Sequence, residues 1–406
     1  MNKVIFVVCD GLGDRPIKQL KNLTPLEAAK TSNLDKLAKE GITGLVHTVG
    51  YGIRPGSDVS HLSLFGYDTK QCYKGRGMYE ALGLGMKLNK GDVAFRCNLA
   101  TVKSDLTIVD RRAGRIESAE PFIKELDGAL INGVRFAIQP GVMHRTAVVM
   151  SGYNLSYKVS DPDPHEIDVK AKKAMPLDNS KEAQFTADVL NRFIEFAHIK
   201  LKQNPLNKER SKKKLPEANY LLLRGAGYVE EVQSFFDKYK LSACCIAGAP
   251  LYKGIAKALG MDIIEVKGAT GTLHTDLEAK FTAAKNALKR YDFVFVHIKA
   301  TDSCGEDGNF AEKKKFIEKI DKAIRIISNL DDTLIVVTAD HSTPCTLKTH
   351  SADPVPILMN GIGVRVDDVT KFGERACANG GLGHIIGLNV MPEIMNLLGK
   401  SQLYGN

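Results

Sequence analysis

Six side chains able to hold a divalent cation recur at the ends of apolar runs in this chain. Asp10 follows the run 4–9, Asp302 and Glu306 follow 293–298, and Asp340 and His341 follow 334–337, while His350 just precedes 355–359. One aspartate after an apolar run means little, because loops often carry one. Carboxylates and imidazoles from separate segments form a stronger pattern, and the mixture suits Mn, Mg or Zn. A nucleophile is also at hand. Ser57, in Gly56-Ser57-Asp58, follows the turn Gly52-Ile-Arg-Pro55 and opens a helical pattern through Val59, Leu62, Leu64 and Phe65. Backbone N–H groups and the positive end of a helix dipole suit a phosphate carried there. A cation beside the hydroxyl would lower its pKa and make it a nucleophile at neutral pH. Alone, Ser57 reads as an N-cap; with the six ligands, it reads as the nucleophile of a phosphoryl displacement clamped by two ions. Arg111, Arg112, Arg115 and Arg145 offer guanidinium forks for phosphate and carboxylate, although any one arginine is more often a surface residue. His61, four residues beyond Ser57, either orients substrate or packs the helix face.

Such residues need a scaffold that brings them together. The run 4–9 is continuous, apolar and β-branched, as in a strand buried on both faces. Thr24-Pro-Leu-Glu27 reads as an N-cap, an N1 proline and a capping-box glutamate. Runs at 220–223, 293–298, 334–337 and 355–359 alternate with helical patterns, the clearest at 310–327. This rhythm predicts an α/β fold, a mainly parallel sheet flanked by helices, with ligands bound at the carboxyl ends of its strands. Residues 76–180 differ, being short alternating stretches broken by Gly, Asp and Pro. They predict a smaller α+β domain inserted into a discontinuous core of 1–75 and 181–406. A helix over 183–196 would lead back, and 199–216 reads as a basic loop or linker.

Composition narrows the function classes. The 406 residues are 44% hydrophobic and 25% charged, ordinary for a globular chain. No apolar run approaches the roughly 20 residues that span a bilayer, and the N-terminus lacks a secretory pattern, so a cytoplasmic protein without a membrane partner is expected. Eight cysteines without metal-finger spacing read as buried thiols. The net charge of +9 raises nucleic acid as a partner, but seven basic residues crowd into 200–214 and tryptophan is absent. A small phosphorylated substrate accounts for the charge without nucleic acid. Oligomeric state leaves no mark on the sequence.

The motifs Cys9-Asp-Gly-Leu-Gly-Asp-Arg-Pro16, Gly52-Ile-Arg-Pro-Gly-Ser-Asp-Val-Ser-His61, Asp161-Pro-Asp-Pro-His165, Leu223-Arg-Gly-Ala-Gly227, Thr338-Ala-Asp-His341 and His350-Ser-Ala-Asp-Pro-Val-Pro356 run nearly the length of the chain. Together they resemble the archaeal-type, cofactor-independent phosphoglycerate mutases of the alkaline phosphatase superfamily. The resemblance implies an alkaline-phosphatase-like core and interconversion of 3-phosphoglycerate and 2-phosphoglycerate without 2,3-bisphosphoglycerate. It implies two divalent ions, one held by Asp10, Ser57, Asp340 and His341, the other by Asp302, residue 306 and His350. Ser57 would be phosphorylated transiently, and closure of the inserted domain would exclude water. The superfamily's second site usually reads Asp-x-x-x-His, whereas Asp302-Ser-Cys-Gly-Glu306 places a glutamate there. The same ligands would also serve a phosphatase or another small-molecule phosphotransferase, such as a homoserine kinase-like relative.

Overall fold

Six consecutive apolar residues, 4–9, leave the first strand no face to show to water, and all six are buried. That strand sits near the middle of the larger of two sheets. The computed structural model describes residues 3–228, 232–361, 363–403 and 405. The chain divides into two compact units, residues 1–73 with 233–406, and residues 74–232. In chain order the strands are β1 (Lys3–Cys9), β2 (Ile42–His47), β3 (Val93–Val102), β4 (Ile108–Asp110), β5 (Ala129–Ile131), β6 (Val134–Pro140), β7 (Arg145–Ser151), β8 (Tyr220–Tyr228), β9 (Ala243–Ile246), β10 (Asp262–Ile263), β11 (Phe293–Ile298), β12 (Thr333–Thr338), β13 (Val355–Asn360) and β14 (Gly383–Ile386).

The first unit is built on an eight-stranded sheet in the order β10-β9-β11-β1-β12-β13-β2-β14. Every pairing is parallel except the two made by β13, which runs against both β12 and β2. The mainly parallel α/β fold expected from the sequence is therefore present, with one reversed strand. The reason lies in the connection. A parallel return needs a crossover, usually a helix, to carry the chain to the far end of the sheet. Residues 339–354 contain no helix, so the chain turns and comes back at the end it left. Thr24, Pro25 and Glu27 form the expected capping box at the start of the helix Pro25–Ala28.

The second unit is an antiparallel sheet, β4-β3-β7-β6-β5, with β8 also paired to β3. The helix Lys181–Gln203 packs on it, stacking Phe193 on Phe136 with ring centroids 4.0 Å apart. This is the expected α+β domain, but its second boundary falls later than 180. The helix buries Val189, Leu190, Phe193 and Ala197 in the same cluster as β3 and β6, and β8 pairs with β3 from Ala100 to Val93. Residues 181–232 thus belong with this sheet. The basic stretch 199–216 is mostly helical and not a loop. Asn204 caps a second helix, Pro205–Lys212, whose Asn207 is buried and bonded to the carbonyls of Leu201 and Ala218. The lysines give the stretch the charge pattern of a linker, and that charge masks this anchor. Among the described residues no helix is long and apolar enough to cross a membrane.

One half-buried acid in the first unit makes a stability prediction. Both oxygens of Glu374 accept hydrogen bonds, from the Asp14 N–H and the Thr24 hydroxyl. Desolvation, with Glu27 adding to it, pushes this carboxyl up to about 7. An acid raised in the folded state contributes stability fully below its unfolded value and loses it as the pH climbs through the folded one. In Glu374→Gln the amide oxygen can still accept from the Asp14 N–H while the amide NH2 donates to the Thr24 hydroxyl oxygen, so between pH 6 and 8 it should lose roughly 1 kcal/mol less stability than the parent. Denaturant melts at the two pH values measure this.

Candidate metal centre and nucleophile

The three parallel neighbours β11, β1 and β12 end in register, with Cys9 beside Ile298 and Val8 beside Thr338. Each leads into its ligand-bearing segment at the same rim: Asp10 in the turn after β1, Asp302 in the first turn of the helix Ala300–Asp307 after β11, Asp340 and His341 in the loop after β12. The reversed β13 keeps the whole 339–354 loop there, which is how His350 stays with the others. Bridges from Leu12 and Gly13 to Ser342, and from Ser342 to Ser351, fold that loop onto the turn after Asp10. The turn demands glycine. Gly11 has φ +63°, and a Cβ there would lie 2.7 Å from the Asp302 Cα.

Ser57 is the first residue of the helix Ser57–Leu64, with Gly56 in the capping position, so its hydroxyl is not consumed as an N-cap. It is buried, and its Oγ lies 3.1 Å from His341 Nε2. Three histidines are held in one tautomer by their surroundings. His61 Nδ1 donates to the Ser57 carbonyl at 2.7 Å, and His350 Nδ1 donates to the Pro55 carbonyl at 2.9 Å. The Thr343 hydroxyl donates to Asp302 Oδ1 at 2.7 Å, so its 3.0 Å contact with His341 Nδ1 has the imidazole as donor. His341 and His350 therefore turn Nε2 toward the carboxylates with its lone pair available, as metal-binding histidines do, whereas His61 approaches Asp340 through Nδ1. His350 stacks on His341 with centroids 3.5 Å apart and brings its Nε2 to 3.6 Å from Asp302 Oδ1.

The carboxylates are steered in a similar way. Asp340 Oδ1 accepts from the N–H groups of Gly11 and His341, while the buried Oδ2 has no hydrogen-bond partner and lies 3.1 Å from His341 Nε2. Asp10 Oδ2 accepts from the Tyr252 hydroxyl and from His297 Nε2, leaving Oδ1 at 3.6 Å from His341 Nε2. The Lys299 ammonium bridges Asp10 Oδ1 at 3.1 Å and Asp302 Oδ2 at 2.6 Å. Burial works to raise the acids and to lower the bases, but the mutual charges win. Asp340, beside His341, and Asp10, beside Lys299 and His297, are held far below the usual carboxylate range. Asp302 is also lowered, and His341 is raised by Asp340. Concentrated negative charge, an orphaned carboxylate oxygen and inward imidazole nitrogens fit hard or borderline divalent cations.

Two groups of three ligands result: Asp10, Asp340 and His341, and Asp302, His341 and His350. His341 belongs to both, where the sequence assigned it to one. Glu306 sits one helical turn beyond Asp302, exposed, and is in neither group. Partial desolvation, then the carboxylates of Asp302 and Asp10, raise its carboxyl above the usual value. His61 lies 3.7 Å from Asp340 Oδ2, with its buried Nε2 unpartnered. The four arginines belong to the second unit. Arg111 grips Asp163 with two bonds, at 3.1 and 2.6 Å, and Arg145 adds its charge to Arg96 and Glu80. Arg112 acts on His144, and Arg115 lines a separate hollow with Leu206 and Arg210. Sequence reasoning missed Lys299, Thr343, Tyr252 and His297. Lys299 and His297 flank Ile298 at the end of a strand already singled out, so scanning for any polar residue there would have found them. Tyr252 gave no signal.

A metalloenzyme superfamily model matches residues 2–397. The chain is 49% identical to 2,3-bisphosphoglycerate-independent phosphoglycerate mutase 1 of Methanocaldococcus jannaschii, over 99% of this chain and 98% of that protein. It is 48% identical to the 2,3-bisphosphoglycerate-independent phosphoglycerate mutase of Methanococcus vannielii, covering both chains fully at 100%. Among solved structures, the cofactor-independent phosphoglycerate mutase of Thermoplasma acidophilum matches with a TM-score of 0.72 and 39% identity, over 98% of this chain and 100% of that one. A Pyrococcus horikoshii protein matches with a TM-score of 0.87 and 37% identity, over 100% and 99%.

Because His341 is raised, a proton competes with metal at its Nε2 until the pH exceeds the raised value. Metal affinity should therefore weaken on acidification, by about tenfold per pH unit below that value, with on the order of one proton released per chain on binding. Calorimetric titration of metal-free protein with Mn2+ at pH 6 and 8, in buffers of different ionisation enthalpy, measures both quantities.

Proposed function

From its membership of the 2,3-bisphosphoglycerate-independent phosphoglycerate mutase family, within the metalloenzyme superfamily, we propose that this chain interconverts 3-phosphoglycerate and 2-phosphoglycerate through a phosphoserine at Ser57. The observation that carries the assignment of Ser57 is its buried hydroxyl, not spent on capping, 3.1 Å from His341 Nε2 at a rim of open ligands. Asp10, Ser57, Asp340 and His341 would hold one Mn, Mg or Zn ion. Asp302, His350 and Glu306 would hold a second, with His341 close enough to serve either. Such ions supply charge neutralisation at the phosphoryl oxygens and a lowered pKa at the bound hydroxyl.

The protein's own groups do the rest. Ser57 Oγ attacks phosphorus in line, the bond from phosphorus to the glycerate oxygen breaks, and that oxygen gains the proton which Ser57 gives up. The glycerate then offers its other hydroxyl to phosphoserine, and the same exchange runs backward. The N-terminus of the helix Ser57–Leu64 favours the negative charge of the phosphorylated serine. Lys299, kept charged by Asp10 and Asp302, supplies a cation beside the transferring group. For the substrate's carboxylate we assign the arginines of the second unit, Arg111 and Arg145 ahead of Arg112 and Arg115, because the first two act within a network of charges that includes Asp163, Arg224, Arg96 and Glu80. His61 would hold the Ser57 turn through the carbonyl bond. Free cysteines, seven of them buried, accord with a cytoplasmic setting.

Purified protein loaded with Mn or Mg should turn over 3-phosphoglycerate without added 2,3-bisphosphoglycerate, and Ser57→Ala should lower kcat by roughly three orders of magnitude or more. Turnover surviving in Ser57→Ala would remove the phosphoserine step. Hydrolysis of phosphoesters without isomerisation would point to a phosphatase instead. Glu306→Ala should weaken the second ion by about tenfold in metal analysis. Unchanged stoichiometry and activity would return Glu306 to the surface.

A further inference from the structure

Asp10 differs from Asp340 in how it is held. Two backbone N–H groups orient Asp340, whereas every hydrogen bond to the Asp10 carboxylate comes from a side chain. Two of these donors are used by no step above. Tyr252 stands on the helix Pro250–Ala258 and His297 on β11, and both are buried. Their rings stack with centroids 3.3 Å apart and planes 19° apart, and both point a donor at the same oxygen, Asp10 Oδ2. The strand beneath is fixed in turn, because the buried Lys280 ammonium donates to the His297 carbonyl at 2.9 Å.

We propose that Tyr252 and His297 are positioning residues that tie Asp10 Oδ2 and so offer the ion only Oδ1. This rests on the reading of Asp10 as a ligand. A carboxylate can bind a cation through one oxygen or both. With Oδ2 engaged by two donors, Asp10 takes a single coordination position and leaves another for a phosphoryl oxygen. Released, it could turn and close on the ion with both oxygens, a mode that larger ions such as Ca2+ accept readily and smaller ones resist. The pair therefore sets both the affinity of the site and its preference among ions.

The test is a calorimetric titration of metal-free protein with Mn2+ and with Ca2+, with melting temperatures recorded alongside. Tyr252→Phe removes only a hydroxyl and should weaken Mn2+ by about 10- to 100-fold while affecting Ca2+ less. His297→Leu should do the same. His297→Gln, whose amide N–H can replace Nε2–H, should restore Mn2+ affinity to within about threefold of the parent. If Tyr252→Phe fails to fold, the comparison of His297→Gln with His297→Leu carries the test. Parental affinities for both ions, with only the melting temperature lowered, would reduce the pair to packing and overturn the proposal. Asp10→Asn separates the two levels. Loss of the site in Asp10→Asn with parental binding in Tyr252→Phe leaves the ligand and removes the clamp. Parental binding in Asp10→Asn overturns the ligand assignment and the clamp with it.

Discussion

Asp10, Asp302 and Asp340 are gathered, almost wholly buried, at the end of one sheet, and like charges placed so close in a protein interior repel unless positive charge lies among them. Much of the surrounding architecture answers that repulsion. Two backbone N–H groups face Asp340, the Thr343 hydroxyl faces Asp302, and the Lys299 ammonium spans Asp302 and Asp10. These contacts keep the acids ionised and in place, and Asp340 still has an oxygen without a hydrogen-bond partner. A site of this kind is assembled for cations before any arrives, so less ordering remains to be done on binding.

The parallel strands carry this arrangement, and they were the most legible part of the sequence. The runs at 4–9, 293–298 and 334–337 are buried on both faces, so hydropathy alone marked them, and the strand-end rule then placed their polar followers at one rim. The reversal of β13 was not legible. Its sequence is as apolar as that of its neighbours, and direction depends on the connection, which carries no helical signal and so brings the chain back at the same end. The ligands could be read because carboxylate and imidazole after a strand are distinctive types. The residues orienting them could not, since a tyrosine on a helix and a threonine in a loop look ordinary until distance shows what they touch.

The second unit illustrates a different limit. Its short alternating stretches were visible between residues 76 and 180, but the sheet recruits β8 from beyond a helix of 23 residues. Pairing between segments so far apart leaves no local trace. In the basic stretch, solvated lysines masked Asn207, whose side chain satisfies the carbonyls of Leu201 and Ala218. Net charge described the outer face of that helix and missed the inner one.

His341 is shared by the two ligand groups, and Thr343 joins its ring to Asp302. An ion that draws on His341 from one side alters the ring's basicity and position for the other. The two loading equilibria are therefore linked, and linkage is reciprocal: whatever the first ion does to the affinity for the second, the second does equally to the first. Both ions also lean on the single loop 339–354, so a change in its length would disturb them together. Natural or engineered variation can retune the pair as a unit far more easily than it can retune one member alone.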